Sequence, residues 1–473
     1  VLTTDNIIFK MKETRFLELA GSLSEKDFKK LGEFLRSPYF NKTQALTTFY
    51  NYLQKIFPYF DKIDIEHLSR HLYGSSNKQN KVRSLISEFC RMIERFYTQV
   101  MMEENELYMS SSLLKNFTEK NLPKNFEAYS KKIKQSLPKD FDRDQNFYLN
   151  NMQIELSKFH FKLERNEEKL PDDIQIVSEN LDLHFIISKL SMLHFLYYYR
   201  KSNLKSEADL YFSQEILNYI ELNSKSLKKD HPIIYLNYLV LMTIWKHDEE
   251  EYYYELKNFV FSKMDNLSLD NAEYFISALM NYTLEKCNEG NTKFQQERFE
   301  IYRLTEKNFI FKKLPFVNHI DFQNAISASI GVNNIKFAEK FLFDYKSKLI
   351  PEFKKDTISL AKAQILFAQK NYDEALNIIN KIDYLNSIFY LKSKILQSKI
   401  YYMQKEMNAQ FYLIDSVKHY LKRNENKISK KSYQLYWKYF LYLQKMVNPN
   451  NLTKSKLLEL RYDLENEQNI ASK

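Results

Sequence analysis

Glycine and proline are scarce in this chain, which has 473 residues but only 5 glycines and 9 prolines. Average usage would give about 33 glycines and about 24 prolines. Sandwiches, barrels and doubly wound sheets need both residues at their turns, so the composition disfavours these folds. The glycines are isolated from one another, so they cannot build the loops that hold a dinucleotide or a nucleotide phosphate. Nucleotide-dependent enzymes of those kinds are therefore excluded.

Cysteines and long apolar runs are also rare. Cys90 and Cys287 are the only cysteines, and two packed thiols in a reducing compartment are the simplest interpretation. The longest apolar stretch, residues 233–245, contains Asn237 and Thr243 and is too short to cross a bilayer. The first residues do not have the pattern of a secretory leader. We expect a cytoplasmic protein that does not enter the membrane.

The net charge of +10 is unevenly distributed along the chain. Residues 201–300 carry 11 basic and 17 acidic side chains, whereas residues 301–400 carry 16 basic and 9 acidic ones. Both ends of the chain are basic and the middle is acidic. This asymmetry favours either an acidic partner for the basic regions or electrostatic complementarity within the molecule. Lysine-rich helices with solvated faces are the simpler interpretation.

Apolar residues recur with the period of an α-helix along almost the whole chain. No strand pattern competes, so we predict an all-α fold with more than about 65% helix and no sheet of three or more strands. From residue 231 onward, helical segments alternate with short polar joints, a pattern typical of stacked helical hairpins. We predict an N-terminal helical domain at 1–105, a middle region of long helices at 106–230 and a solenoid at 231–473.

Small residues recur at a repeat spacing in the last third of the chain. Ala338, Ala375 and Ala409 are 37 and 34 residues apart, and each comes early in the second helix of a predicted pair. A small side chain at such a position lets two helices approach closely. We therefore predict that Ala375 is buried between the helices of its hairpin.

This region resembles the tetratricopeptide repeat over residues 320–421. The residues that carry the resemblance are Ala363, Tyr372, Ala375 and Ile379, which match the small, aromatic, small and bulky positions of that family. The resemblance implies a right-handed solenoid of antiparallel helical hairpins. It also implies that the first helix of each pair lines a concave, ligand-binding face.

A second resemblance covers residues 11–105. The segments 34–42, 71–74 and 82–89 are similar to a group of uncharacterised helical proteins from Bacteroidota. The similarity implies a bacterial source and a shared layout, but no activity. Met11 begins a run that has the pattern of a natural start.

The implied geometry directs a row of side chains toward a ligand. We predict that these partner-binding residues are Gln323, Gln364, Phe367, Lys394, Ser398 and Tyr401, with Ser327 beside them. The ligand of such a face is an extended peptide or a helix. The sequence therefore favours a non-enzymatic scaffold or adaptor for a protein partner.

An alternative function follows from residues 78–98. A short helix, a glycine-containing turn and a basic amphipathic helix form the outline of a helix-turn-helix. The residues that would meet phosphate are Lys78, Lys81, Arg83, Arg91 and Arg95. The alternative is a DNA-binding regulator with a helical sensing domain. Against it, Glu88 and Glu94 share the helix and no strand pair follows to form a wing.

Catalytic and metal-binding patterns are weak throughout. His67 and His71 have the i, i+4 spacing that places two imidazoles on one helical face, but no further ligand is at a metal-binding spacing. The chain has no nucleophile elbow, and both cysteines fall in helical patterns. We expect no enzyme activity, no cofactor and no metal.

Overall fold

A computed structural model of the chain describes residues 14–165, 170–201, 209–382, 387–447 and 453–466. Helix accounts for 83% of these residues, and no strand occurs among them. An isolated backbone bridge joins Val317 to Leu349. The predicted all-α fold and its helix content are confirmed. Met11 lies outside the described residues.

The described ranges contain twenty-four α-helices. They are α1 (Arg15–Gly21), α2 (Glu25–Arg36), α3 (Gln44–Gln54), α4 (Ile65–Tyr73), α5 (Gln79–Glu104), α6 (Glu106–Glu119), α7 (Pro123–Ser136), α8 (Gln145–Leu163), α9 (Leu170–Lys201), α10 (Ser213–Leu222), α11 (Ser224–Asp230), α12 (Pro232–Trp245), α13 (Glu250–Ser262), α14 (Leu269–Asn288), α15 (Lys293–Lys307), α16 (Ile310–Lys313), α17 (His319–Gly331), α18 (Ile335–Tyr345), α19 (Pro351–Ala368), α20 (Tyr372–Ile379), α21 (Ser387–Gln404), α22 (Met407–Arg423), α23 (Lys430–Val447) and α24 (Lys454–Asn466). None of the described helices is long and apolar enough to cross a membrane.

The chain divides into two compact units. The N-terminal unit consists of the chain up to Leu137 together with Leu149–Leu181, and the C-terminal unit consists of Pro138–Tyr148 and the chain from Asp182 onward. These limits differ from the boundaries at residues 105 and 230 that the sequence favours. The three-part division stays a prediction.

The N-terminal unit is built around α5. Its buried side carries Val82, Phe89 and Ile93, which recur at helical spacing and are fully buried against α1 to α3. Gly74 ends α4 in a left-handed conformation with φ of 71°, which favours glycine. The apolar periodicity of this segment therefore fixes which side of the helix faces the core.

A close approach between α2 and α3 requires glycine at position 32. A Cβ atom there would lie well inside van der Waals distance of the Tyr50 ring, which is buried and donates a hydrogen bond to the Phe28 carbonyl at 3.0 Å. We expect Gly32→Ala to cost the N-terminal unit about 1–3 kcal/mol through overpacking. Gly21→Ala is the matched control, because no atom lies within 4 Å of its added Cβ.

Circular dichroism measures this effect, since helix loss reports on both units. Tryptophan fluorescence reports on the C-terminal unit alone, because Trp245 and Trp437 are the only tryptophans. Gly32→Ala should therefore shift the dichroism transition and leave the fluorescence transition in place. An unchanged dichroism transition would show that the Tyr50 ring moves aside at no cost.

In the C-terminal unit, helices that follow one another pack in pairs. The pairs are α12 with α13, α14 with α15, α17 with α18, α19 with α20, and α21 with α22. In addition, α15 packs on α17, α17 on α19, and α19 on α21. We call these four helices the α15–α21 row.

The predicted burial of Ala375 is confirmed. Ala375 is fully buried in one apolar cluster with Ala363 and Ile379. Ala409, at the matching position of the next pair, is only half-buried, and Gln410 takes the fully buried position beside it. The fully buried position is therefore offset by one residue in α22, which the spacing of the alanines does not reveal.

This difference supplies a matched pair of substitutions. Ala375→Leu should overpack the contact between α19 and α20 and cost about 1–3 kcal/mol. Ala409→Leu adds the same atoms at a half-buried position and should cost less. Chemical unfolding followed by tryptophan fluorescence compares the two, and equal costs would contradict the close helix contact at Ala375.

Candidate partner-binding face

Two of the predicted binding residues join α17 to α19. Gln323 is fully buried, and its Nε2 donates to the Thr357 carbonyl at 2.6 Å. Gln364 is half-buried, and its Nε2 donates to the Ser327 Oγ at 3.3 Å. Both glutamines therefore contribute hydrogen bonds between successive helices of the row, and Gln323 exposes no surface to a ligand.

The three predicted residues on α21 also make internal contacts. Ser398 is buried and shares a hydrogen bond with the Tyr439 hydroxyl at 2.8 Å. Lys394 donates from Nζ to the Gln397 Oε1 at 2.9 Å, and the Gln397 Nε2 donates to the Tyr401 hydroxyl at 2.9 Å. Tyr401 also packs against the apolar core shared by α21, α22 and α23. These contacts hold the side chains in place.

Phe367, the remaining predicted residue, lines a cavity. The cavity has a volume of about 660 Å³ and lies between the end of α19 and helices α21, α23 and α24. Its apolar walls include Phe367, Tyr402, Met403, Leu443, Met446, Leu457 and Leu460. Tyr402 is 61% exposed and Met403 is 50% exposed, so the cavity opens to solvent at α21. An opening of this size and polarity is typical of a site for a bulky apolar group.

Two cations lie in the wall of this cavity, Lys399 and Arg461. Lys399 is half-buried and precedes Tyr402 and Met403 by three and four residues, so it lies on the same face of α21. Lys392 lies two helical turns earlier on that face and is also half-buried. We call Lys392, Lys399, Tyr402 and Met403 the α21 strip.

The lysines of the α21 strip form no ion pair and no hydrogen bond with any described residue. Arg298 on α15 is a third half-buried cation without an ion pair in the described ranges, and its Nη2 donates to the Asn324 carbonyl at 3.5 Å. A half-buried charge that lacks an opposite charge loses hydration without compensation. Such groups mark candidate binding sites for ions of opposite sign.

The pKa values of these groups show the cost of burial. Desolvation, with a smaller contribution from Arg298, lowers the pKa of Lys392 to about 8. Desolvation also lowers the pKa of Lys399. On α17, desolvation and then repulsion from Lys392 lower the pKa of His319. An anion bound beside these groups would raise all three pKa values.

Sequence patterns do not identify the α21 strip. They favour a solvated face for its lysines, because lysine is exposed in most helices. One signal is present in the sequence: α21 carries Lys392, Lys394 and Lys399 but no aspartate or glutamate. A helix with that composition cannot neutralise its own lysines.

The basic residues of the alternative function lie on the outer side of the N-terminal unit. Lys78, Lys81, Arg83, Arg91 and Arg95 are all exposed. Lys78 donates to the Tyr73 carbonyl at 3.3 Å, and Arg95 donates to the Phe40 carbonyl at 3.2 Å. An exposed basic face fits both a nucleic-acid contact and a solvated helix.

The two histidines of α4 pack against one aromatic ring. The ring centroids of His67 and His71 lie 6.4 Å and 5.8 Å from that of Tyr52. Within the part of the chain that is described, no group of three or more His, Cys, Asp or Glu side chains is placed to hold a metal ion.

No family model matches this chain, and no curated protein and no solved structure matches it significantly.

Proposed function

We propose that this chain is a non-enzymatic helical-repeat protein that acts as a protein–protein interaction scaffold or adaptor. In this proposal the C-terminal unit is a right-handed, tetratricopeptide-like solenoid, and its partner is a protein or a peptide. The partner binds at the α21 strip and the cavity beside it. We also propose that the protein acts in the cytoplasm of a bacterial cell. Its two cysteines form no disulfide, which fits a reducing compartment.

The open apolar cavity carries the proposal. Apolar side chains at a protein surface cost free energy unless a ligand covers them. Tyr402 offers a rigid ring and Met403 an adaptable thioether as contact area for a ligand. Tyrosine and methionine are both enriched in protein interfaces. The hydrogen bond between Ser398 and Tyr439 and the packing of Tyr401 against α22 and α23 hold α21 in place, so a ligand meets a preformed surface.

Peptide display on the purified full chain tests the proposal. A library of random peptides is selected on the native chain, and the enriched peptides are then tested on two double variants. Tyr402→Ala with Met403→Ala removes the exposed rim of the cavity. Met407→Ala with Tyr412→Ala is the matched control on α22, where the same two residue types are 42% and 79% exposed.

The expected result is that the enriched peptides bind the control and fail to bind the cavity variant. All four side chains are exposed, so both variants should retain the native unfolding transition. Failure to enrich any peptide, or equal loss of binding in both variants, would contradict the proposal.

The exposed basic face of α5 supports a second candidate function, binding of duplex DNA as a regulator. Phosphate neutralisation by five basic side chains would give a steep dependence of affinity on salt concentration. A mobility shift of nonspecific duplex DNA that is lost when Arg83 and Arg91 are replaced by glutamine would favour this function. A chain that leaves DNA unshifted at low salt would eliminate it.

A further inference from the structure

The α21 strip carries two lysines whose backbone positions lie at a defined spacing along the helix. Lys392 and Lys399 are seven residues apart, which is about 10 Å along a helix axis. Three residues of an extended peptide span about the same distance. Neither lysine has an acidic partner among the described residues. The strip therefore matches a ligand with two carboxylates about 10 Å apart.

The apolar cavity lies at one end of this pair of charges. Lys399 is itself part of the cavity wall, and Met403 follows one helical turn later. A ligand whose carboxylate meets Lys399 would place the next side chain over the opening. The cavity wall that this side chain would contact is apolar, because Phe367 of α19 and Leu443 of α23 line it.

Charge along the chain limits where an acidic ligand can bind. Residues 201–300 carry an excess of acidic side chains, and residues 301–400 carry an excess of basic ones. Arg298 on α15, which lies at the end of the acidic segment, is close enough to Lys392 on α21 for the two positive charges to repel one another. The region around the α21 strip is thus electrostatically suited to an anion.

We propose that the ligand of the α21 strip is an acidic amphipathic peptide segment, in which two carboxylates about 10 Å apart pair with Lys392 and Lys399 while a large apolar side chain enters the cavity beside Tyr402 and Met403. The inference rests on the proposed function and specifies its ligand. The lowered pKa values of both lysines agree with it, because each charge lacks a partner that this ligand supplies.

The test compares the composition of peptides selected on the native full chain with those selected on Lys392→Met with Lys399→Met. Methionine keeps the length of the lysine stem and removes the charge. Lys362→Met is the control, since Lys362 is exposed on α19. Unfolding curves confirm that each variant is folded before selection.

We expect the native chain and the control to enrich peptides that contain Asp or Glu together with Leu, Phe or Trp. The double variant should enrich apolar peptides without the acidic residues. A fluorescein-labelled acidic peptide from the native selection should bind the double variant about tenfold more weakly or worse. Replacing its acidic residues by their amides should produce the same loss on the native chain and no further loss on the variant.

Two outcomes would overturn this inference alone, and a third would overturn the proposed function as well. Enriched peptides that need Tyr402 and Met403 but show no acidic bias would overturn this inference and leave the proposed function intact. Acidic peptides that bind the double variant as tightly as the native chain would also overturn it. The absence of any peptide that depends on the cavity would overturn the proposed function and the inference with it.

Discussion

Replacing Lys392 with methionine is expected to stabilise the C-terminal unit by about 1–3 kcal/mol at neutral pH. Lys392 is half-buried and has no acidic partner in the described ranges. Folding therefore removes water from its ammonium group without replacing it by an opposite charge. Methionine fills the same volume with an apolar side chain and avoids this cost. A substitution that stabilises the fold while weakening a ligand is typical of a binding residue.

The stabilisation should depend on pH in a defined direction. The pKa of Lys392 is about 8 in the folded chain, whereas its ordinary value, which applies to the unfolded chain, is 10.5. Below pH 8 both states hold the proton and the native chain bears the full cost. Between pH 8 and 10.5 the unfolded chain binds more protons than the folded chain, so native stability rises with pH. The advantage of Lys392→Met should therefore shrink over this range.

Guanidinium unfolding at pH 7 and at pH 10, followed by tryptophan fluorescence, measures the difference between the two chains. The groups near Lys392 are Arg298 and His319, with Glu352 close to His319. They are present in both chains, so the part of their titration that does not depend on Lys392 cancels. Lys362→Met provides the reference for an exposed lysine. A destabilised Lys392→Met chain would show that the lysine has a compensating partner.

Replacing Glu297 with alanine is expected to destabilise the C-terminal unit by about 3–5 kcal/mol. The Glu297 Oε2 accepts hydrogen bonds from the Tyr253 hydroxyl at 2.9 Å and from the Lys257 Nζ at 2.6 Å. Tyr253 is fully buried, and Lys257 is 15% exposed. Removing the carboxylate leaves a desolvated ammonium and a buried hydroxyl without their acceptor.

A double variant separates the two contributions. Lys257→Met combined with Glu297→Leu removes both charges and should recover most of the lost stability. Glu250→Ala is the control for a more exposed pair, because the Glu250 side chain is 30% exposed and that of its partner Lys293 is 59% exposed, so it should change the unfolding midpoint less. An equal loss of stability in Glu297→Ala and Glu250→Ala would contradict this prediction. It would show that the contacts of Glu297 between α13 and α15 contribute no more than those of the more exposed pair.

The sequence determined the features that depend on apolar spacing. The buried face of α5 and the burial of Ala375 followed from the positions of Val82, Phe89 and the recurring alanines. The burial of apolar side chains is the largest favourable contribution to folding. The side of a helix that faces the core is therefore apolar, and this spacing can be read in the sequence.

The environment of polar residues on the α15–α21 row does not follow from the sequence. Gln323 and Ser398 have the helical position of ligand-facing residues, but each makes a hydrogen bond to a neighbouring helix. Lys392 and Lys399 have the composition of a solvated face, but each is half-buried. In both cases the decisive fact is the rotation of one helix against the next, and local sequence does not encode it.

Site-specific photocrosslinking tests most directly where the partner binds. Benzoyl-phenylalanine is introduced at Tyr402 on the rim of the cavity or at Tyr412 on α22, and each full chain is irradiated with the fluorescein-labelled acidic peptide. We predict a covalent adduct at Tyr402, abolished by Lys392→Met with Lys399→Met, and none at Tyr412. Equal adducts at both positions, or an adduct at Tyr402 that survives the loss of both lysines, would contradict the binding of an acidic ligand at the α21 strip.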